Sequence, residues 1–169
     1  MAVRNEYANA NTESGKLDIG GLVDATGKVF GGVATFEIAA GDDDASIIRL
    51  FKNVPADLIP VSLLIACDAL TGCTDVDCGL YDPDERGGAV IDKDILADGV
   101  DIAAGFTRLL AKDLLVSVDI ADGQKRLYQL AGHTLAAGTR KPGYDIALTF
   151  NTIGSGAGTV TVYALFIQG

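Results

Sequence analysis

Five acids crowd into residues 75–85: Asp75, Asp77, Asp82, Asp84 and Glu85. Carboxylates at that density are the ligands that hard cations such as calcium take. Asp75, Asp77, Asp82 and Asp84 are therefore the candidate metal ligands of this chain. The spacing departs from an EF-hand, because Cys78 and Gly79 stand where a third acid and then the turn glycine belong. Strand alternation places Asp75 and Asp77 on one face just as well. The expected content is no metal and no cofactor.

Other constellations of residue types could carry chemistry. The run GSGAGT at 154–159 invites a phosphate-loop reading, but it lacks a Walker lysine and joins strand to strand, so a hairpin turn is expected. His133 is the single histidine, which excludes a multi-histidine metal site, and no G-x-S-x-G elbow accompanies it. His133 is read as structural, and no catalytic residue is assigned. Cys67, Cys73 and Cys78 are spaced unlike a zinc ribbon or a C-x-x-C pair. Free, mostly buried thiols are expected, with a Cys67–Cys78 bridge between neighbouring strands as the alternative in an oxidising setting. Paired carboxylates could serve glycoside hydrolysis, but tryptophan, the usual sugar platform, is absent.

Charge narrows the choice of partners. The net charge is −10, and residues 68–101 hold ten acids against Arg86 and Lys93, or −8. The remainder carries 13 acids against 11 bases, or −2. A duplex binder needs cations to displace phosphate counterions, so direct nucleic-acid binding is not expected. The acidic stretch reads as a solvated face, or as a cation site or docking face for a basic partner. No apolar run reaches the ~20 residues of a membrane helix. The first residues lack the apolar core of a secretory signal.

These residues need elements to position them. Residues 1–28 read as an extended N-terminal arm, polar to Lys16 and thinly apolar after it. Residues 29–169 read as one domain, for which the length suffices. Strands are expected at 32–39, 46–54, 59–67 and 75–81, with Pro60 at the first residue of its strand because a central strand cannot lose that N–H. In the fourth, Val76, Cys78 and Leu80 point to the core. The acids Asp42, Asp43 and Asp44 read as a solvated loop tip. One helical turn is expected over 92–96 with Asp92 as cap. Residues 105–110 and 114–119 stay ambiguous between strand and helix. The best helix starts at Asp119 or Asp122 and ends at Leu130, with Ile120, Leu127 and Leu130 inward and Gly132 as a left-handed cap. A hairpin closes the chain. Its last strand is apolar on both faces, so it is central in the sheet or covered by another subunit. The expected fold is mainly β: an antiparallel, jelly-roll-like β-sandwich with one or two short helices and an extended arm.

Four runs also resemble a known family: VPADLIPVSLLIACDALTGCTDVDCGLYDP at 54–83, GGAVIDKDILADGVDIAAGF at 87–106, DIADGQKRLYQLAG at 119–132 and YDIALTFNTIGSGAGTVTV at 144–162. They are similar to tailed-bacteriophage virion structural proteins. The resemblance implies a non-enzymatic part of a phage particle, made in the host cytoplasm and located in the virion. The expected role is a head decoration (cement) protein. It would bind the major capsid protein on the outer shell as a cyclic homo-oligomer, with a trimer expected. A tail or head–tail connector part is the alternative within the particle, and a carbohydrate- or calcium-binding β-sandwich module is the alternative outside it. The expected contact residues are Arg4, Tyr7, Leu17 and Ile19 in the arm, and Tyr163, Leu165 and Ile167 in the last strand.

Overall fold

The computed structural model describes residues 5–7, 22–24, 27–134 and 143–168, with side chains from residue 28 onward. Ten strands follow in chain order: β1 (Asn5–Tyr7), β2 (Leu22–Asp24), β3 (Gly27–Ile38), β4 (Ser46–Pro55), β5 (Leu58–Cys67), β6 (Asp75–Tyr81), β7 (Val90–Val100), β8 (Lys112–Asp113), β9 (Gly143–Thr152) and β10 (Gly158–Gln168). They form two sheets, ordered β1-β4-β9-β6-β7 and β2-β3-β10-β5-β8. Without β1 and β2, the eight remaining strands cross between the sheets at every step except β6 to β7, which is the doubled Greek-key order of a jelly roll. The expected sandwich is therefore present. All pairings are antiparallel except β1 with β4.

Alternation explains which residues meet between the sheets. Ile48, Leu50, Val76, Cys78, Leu80, Ile146, Leu148 and Phe150 face inward from one sheet, and Phe30, Ala34, Phe36, Leu63, Ile65, Val160, Val162 and Phe166 from the other. Phe36 and Phe150 meet edge to face across the core, with ring centroids 6.2 Å apart. β10 lies between β3 and β5, so the doubly apolar last strand is central in its sheet.

The glycine-rich 154–158 turn serves close approach of two loops. The carbonyl of Thr71 accepts from the amides of Ser155 and Gly156. A Cβ at Gly154 or Gly156 would come within 2.4 Å of Thr71 backbone atoms. The turn therefore needs glycine for packing, without any phosphate.

Several local expectations are corrected. Residues 92–96 belong to β7 instead of forming a helical turn; Asp92 accepts the amide of Asp94, but strand pairing to β6 decides the backbone. The 119–130 helix breaks into a 3-10 turn (Ile120–Asp122) and a short helix α1 (Leu127–Leu130). Leu127 is buried as expected, but Ile120 is 102% exposed, because the 3-10 turn ends at Gly123 before a helical phase is set. Gly132 does take the left-handed conformation, at φ 70°. Pro60 is the third residue of β5, tolerated because β8 covers only Leu64 and Ile65 on the outer edge. A register shift at Val61 follows it. The Asp42–Asp44 loop is only partly a solvated tip: Asp42 is buried and accepts the amide of Ala39, and Asp44 accepts that of Ile153.

Candidate functional site

Two surfaces gather the residues singled out by type. The first lies on the outer side of β4, β9 and β6. Alternation sends Arg49, Asp77, Tyr81, Asp145, Ala147 and Thr149 away from the core, yet all six are buried. The roof over them is β7 and the turn before it. Between Cys78↔Ala97 and Leu80↔Asp92, two steps along β6 answer five along β7. The surplus backbone crosses Gly79 so closely that a Cβ there would sit 2.2 Å from the Asp92 carbonyl oxygen.

Under this roof the charges are matched. Arg49 donates to the Asp145 carboxylate and to the carbonyls of Asp82 and Gly88, and its guanidinium lies 5.4 Å from the centre of the Tyr81 ring. The other Asp145 oxygen accepts the amide of Asn53 at 2.7 Å. Burial still dominates and pushes the Asp145 carboxyl above the ordinary carboxylate range. The Tyr81 hydroxyl bonds to that of Thr149. One Asp77 oxygen accepts from Lys93 at 2.9 Å and Asn151 at 2.7 Å, and the other accepts the amide of Gly99 at 3.0 Å. Burial opposes ionisation of Asp77, but these donors together outweigh it and hold its carboxyl below the usual range.

The four candidate ligands are not brought together as a set. Asp75 and Asp77 share Asn151 as donor, whereas Asp82 pairs with Arg86 and Asp84 lies 3.6 Å from Arg49. A different trio converges: carboxylate oxygens of Asp77, Asp94 and Asp98 come within 4.8 Å of one another. A hard cation there would compete with the Lys93 ammonium already bound to Asp77. The sequence hid this trio because Asp94 and Asp98 are brought to Asp77 by the irregular β6–β7 pairing.

Cys67, Cys73 and Cys78 are free thiols. Burial raises all three, Cys73 to about 12, which leaves them protonated and unreactive at neutral pH. His133 Nδ1 pairs with the Tyr144 hydroxyl at 2.7 Å.

The second surface is the outer side of β3, β10 and β5. Pairing registers lay out three rows: Val29–Ile167–Ile59, Gly31–Leu165–Ser62 and Val33–Tyr163–Leu64. None of these nine residues carries a formal charge. Val33 is 55% exposed and Leu165 38% exposed. An open depression of about 880 Å³ continues the face past Ile59, Val61 and Ile167 to Leu115, Val118 and Arg126. Tyr163, Leu165 and Ile167 thus lie on one face. Arg4, Leu17 and Ile19 lie outside the described residues, as does the side chain of Tyr7. Sequence reasoning missed the 3-10 turn Arg108–Leu110 beside this face, where Leu109 is 95% and Leu110 72% exposed. Two adjacent leucines look like core until the fold places them.

No family model matches this chain, and no curated protein matches it. Among solved structures, it is similar to a chain of the cyanophage Pam1 capsid asymmetric unit, at 13% identity over 95% of this chain and 99% of that one, with a TM-score of 0.48. It is also similar to a chain of the Ralstonia phage GP4 capsid, at 14% identity over 88% of this chain and 89% of that one, with a TM-score of 0.45. Among the described residues, no helix is long and apolar enough to cross a membrane.

Proposed function

We propose that this chain is a non-enzymatic structural protein of a tailed-phage particle: a decoration protein that binds the major capsid protein on the outer shell as a cyclic trimer. The observation that carries the reading is the uncharged, mostly apolar set of rows Val29–Ile167–Ile59, Gly31–Leu165–Ser62 and Val33–Tyr163–Leu64 on the outer face of β3, β10 and β5, in a chain of net charge −10. Apolar patches of this kind on small domains mark contact surfaces. Fully burying an exposed Leu or Ile side chain is worth about 1.5–3 kcal/mol; Val33, Leu165 and Ile167, 55%, 38% and 37% exposed, each have a part of that left to gain on contact. The four sequence runs that resemble virion structural proteins supply the setting. The polar groups under the β7 roof join strands to one another, a structural use.

Expanded heads lacking this protein provide the test. Purified chain added to them should co-sediment, and imaging should show density on the outer shell at symmetry-related positions. Deleting residues 2–16, which also removes β1 from the edge of β4, should weaken shell binding while the remaining domain still folds. No binding to heads, or density at the tail or the head–tail junction, would remove the decoration role.

A further inference from the structure

The apolar outer face has a distinct margin. Arg108 places its guanidinium 5.3 Å from the centre of the Tyr163 ring, and Lys112 places its ammonium 5.6 Å from that of Phe106. Arg126 lines the same depression as Ile167. Asp113, Glu37 and Asp68 are acids near this margin; Asp113 accepts the amide of Leu115, Glu37 accepts the Thr159 hydroxyl, and Asp68 accepts the Thr159 amide. The acidic surplus lies elsewhere. Eight of the ten acids in 68–101 sit in or between β6 and β7, in the other sheet. β7 is also the last strand of that sheet, and it carries exposed Val90 and half-buried Ile91 and Ile95 among Asp92, Asp94 and Asp98.

We infer that a second copy of this chain covers the outer face, seating its β7 edge against the Tyr163–Leu165–Ile167 row and the Leu109–Leu110 turn. A partner for this face must bring apolar side chains flanked by acids, to answer the cations at its margin. The β7 edge of another copy has that composition. A contact between copies face to face would instead set Arg108 and Lys112 of each against those of the other. The face-to-edge contact is heterologous, the kind that forms a ring where the rotation between copies closes. This assignment rests on the cyclic-oligomer part of the proposed function and names the surfaces that form it.

Sedimentation velocity of the full chain over a concentration series tests the assignment. The wild type should associate. Leu165→Glu with Ile167→Glu on the face, Leu109→Asp with Leu110→Asp on the turn, and Asp94→Lys with Asp98→Lys on the β7 edge should each weaken association about tenfold or more. Circular dichroism and melting should stay close to wild type for the turn variant, whose two side chains are solvent-exposed, so a folding defect on the face leaves the idea testable. Arg108→Glu combined with Asp98→Lys should recover part of the loss. A wild type that stays monomeric, or association that ignores either surface, overturns the assignment. Head binding is read separately: a monomer that still decorates heads defeats only this contact, and a ring that ignores heads defeats only the decoration role.

Discussion

Arg49 and Asp145 meet at 2.9 Å across β4 and β9, with 1% and 0% of their side chains exposed. Ninety-six residues separate them in sequence. A carboxylate taken this far out of water is tolerable only while its cation and the Asn53 amide remain in place. Removing one partner of such a pair costs about 3–5 kcal/mol, because the other charge is left buried. Arg49→Met should therefore lower the melting temperature at roughly 2–4 °C per kcal/mol. Arg49→Met with Asp145→Leu should recover most of the loss. Calorimetry of the three proteins checks this, and a double variant no better than Arg49→Met would show that the pair contributes more than charge matching.

At Gly79 the backbone of β7 passes close over β6. A methyl group there would sit 2.2–2.5 Å from the Asp92 oxygen and the Lys93 carbon and oxygen, all backbone atoms that cannot step aside singly. Gly79→Ala should lift the 92–96 stretch and break the Lys93–Asp77 contact with it. The expected outcome is a loss of about 3 kcal/mol or more, of the order seen for overpacking. Amide exchange should accelerate in β7 while β3 and β10 keep their protection. Uniform loss of protection across both sheets would contradict a local role for Gly79.

Asp77 gives the fold a predictable acid limb. Its folded carboxyl titrates below the unfolded value of 3.8, so the unfolded chain takes up the proton first. The contribution is complete above the unfolded value and is lost as pH falls through the folded one. Urea titrations from about pH 6 to pH 2 should show stability falling along this limb. Asp77→Asn should be less stable near neutrality by about 1–3 kcal/mol, the range for hydrogen bonds to a charged group. It should also fall less steeply in acid. An unchanged slope would assign the acid limb to other carboxylates.

Strand alternation made most of the sandwich legible. Tyr144, Ile146, Leu148 and Phe150 alternate with Asp145, Ala147, Thr149 and Asn151, and β9 carries that pattern into the fold. The doubly apolar β10 implied a strand either central in the sheet or covered by another subunit, and it lies centrally between β3 and β5. The misreadings arise where distant contacts decide. Asp92 to Leu96 looks like a capped turn locally, but Gly79 draws the segment across β6 as a strand. Ile120 sits at a helical spacing from Leu127 and Leu130, yet three-residue turns do not keep that phase. Asp145 was readable as outward-facing, but Arg49 as its partner was not, since nothing local links β4 to β9. The candidate ligands Asp75, Asp77, Asp82 and Asp84 were adjacent only along the chain, and the fold sends the last two to arginines.

The thiols report on the integrity of the core. Cys73 and Cys78 are fully buried, and Cys67 is half-buried with its sulfur 3.8 Å from the Ile102 carbonyl oxygen. Burial raises the titration of each, Cys73 to about 12, so the nucleophilic thiolate is scarce at pH 8 as well as hard to reach. Iodoacetamide at that pH should leave Cys73 and Cys78 of the folded chain unmodified and label Cys67 slowly. All three should react once the chain is unfolded in denaturant. Intact-mass spectrometry over time checks the order. Rapid labelling of Cys78 without denaturant would mean that the two sheets separate far more readily than a closed jelly roll permits.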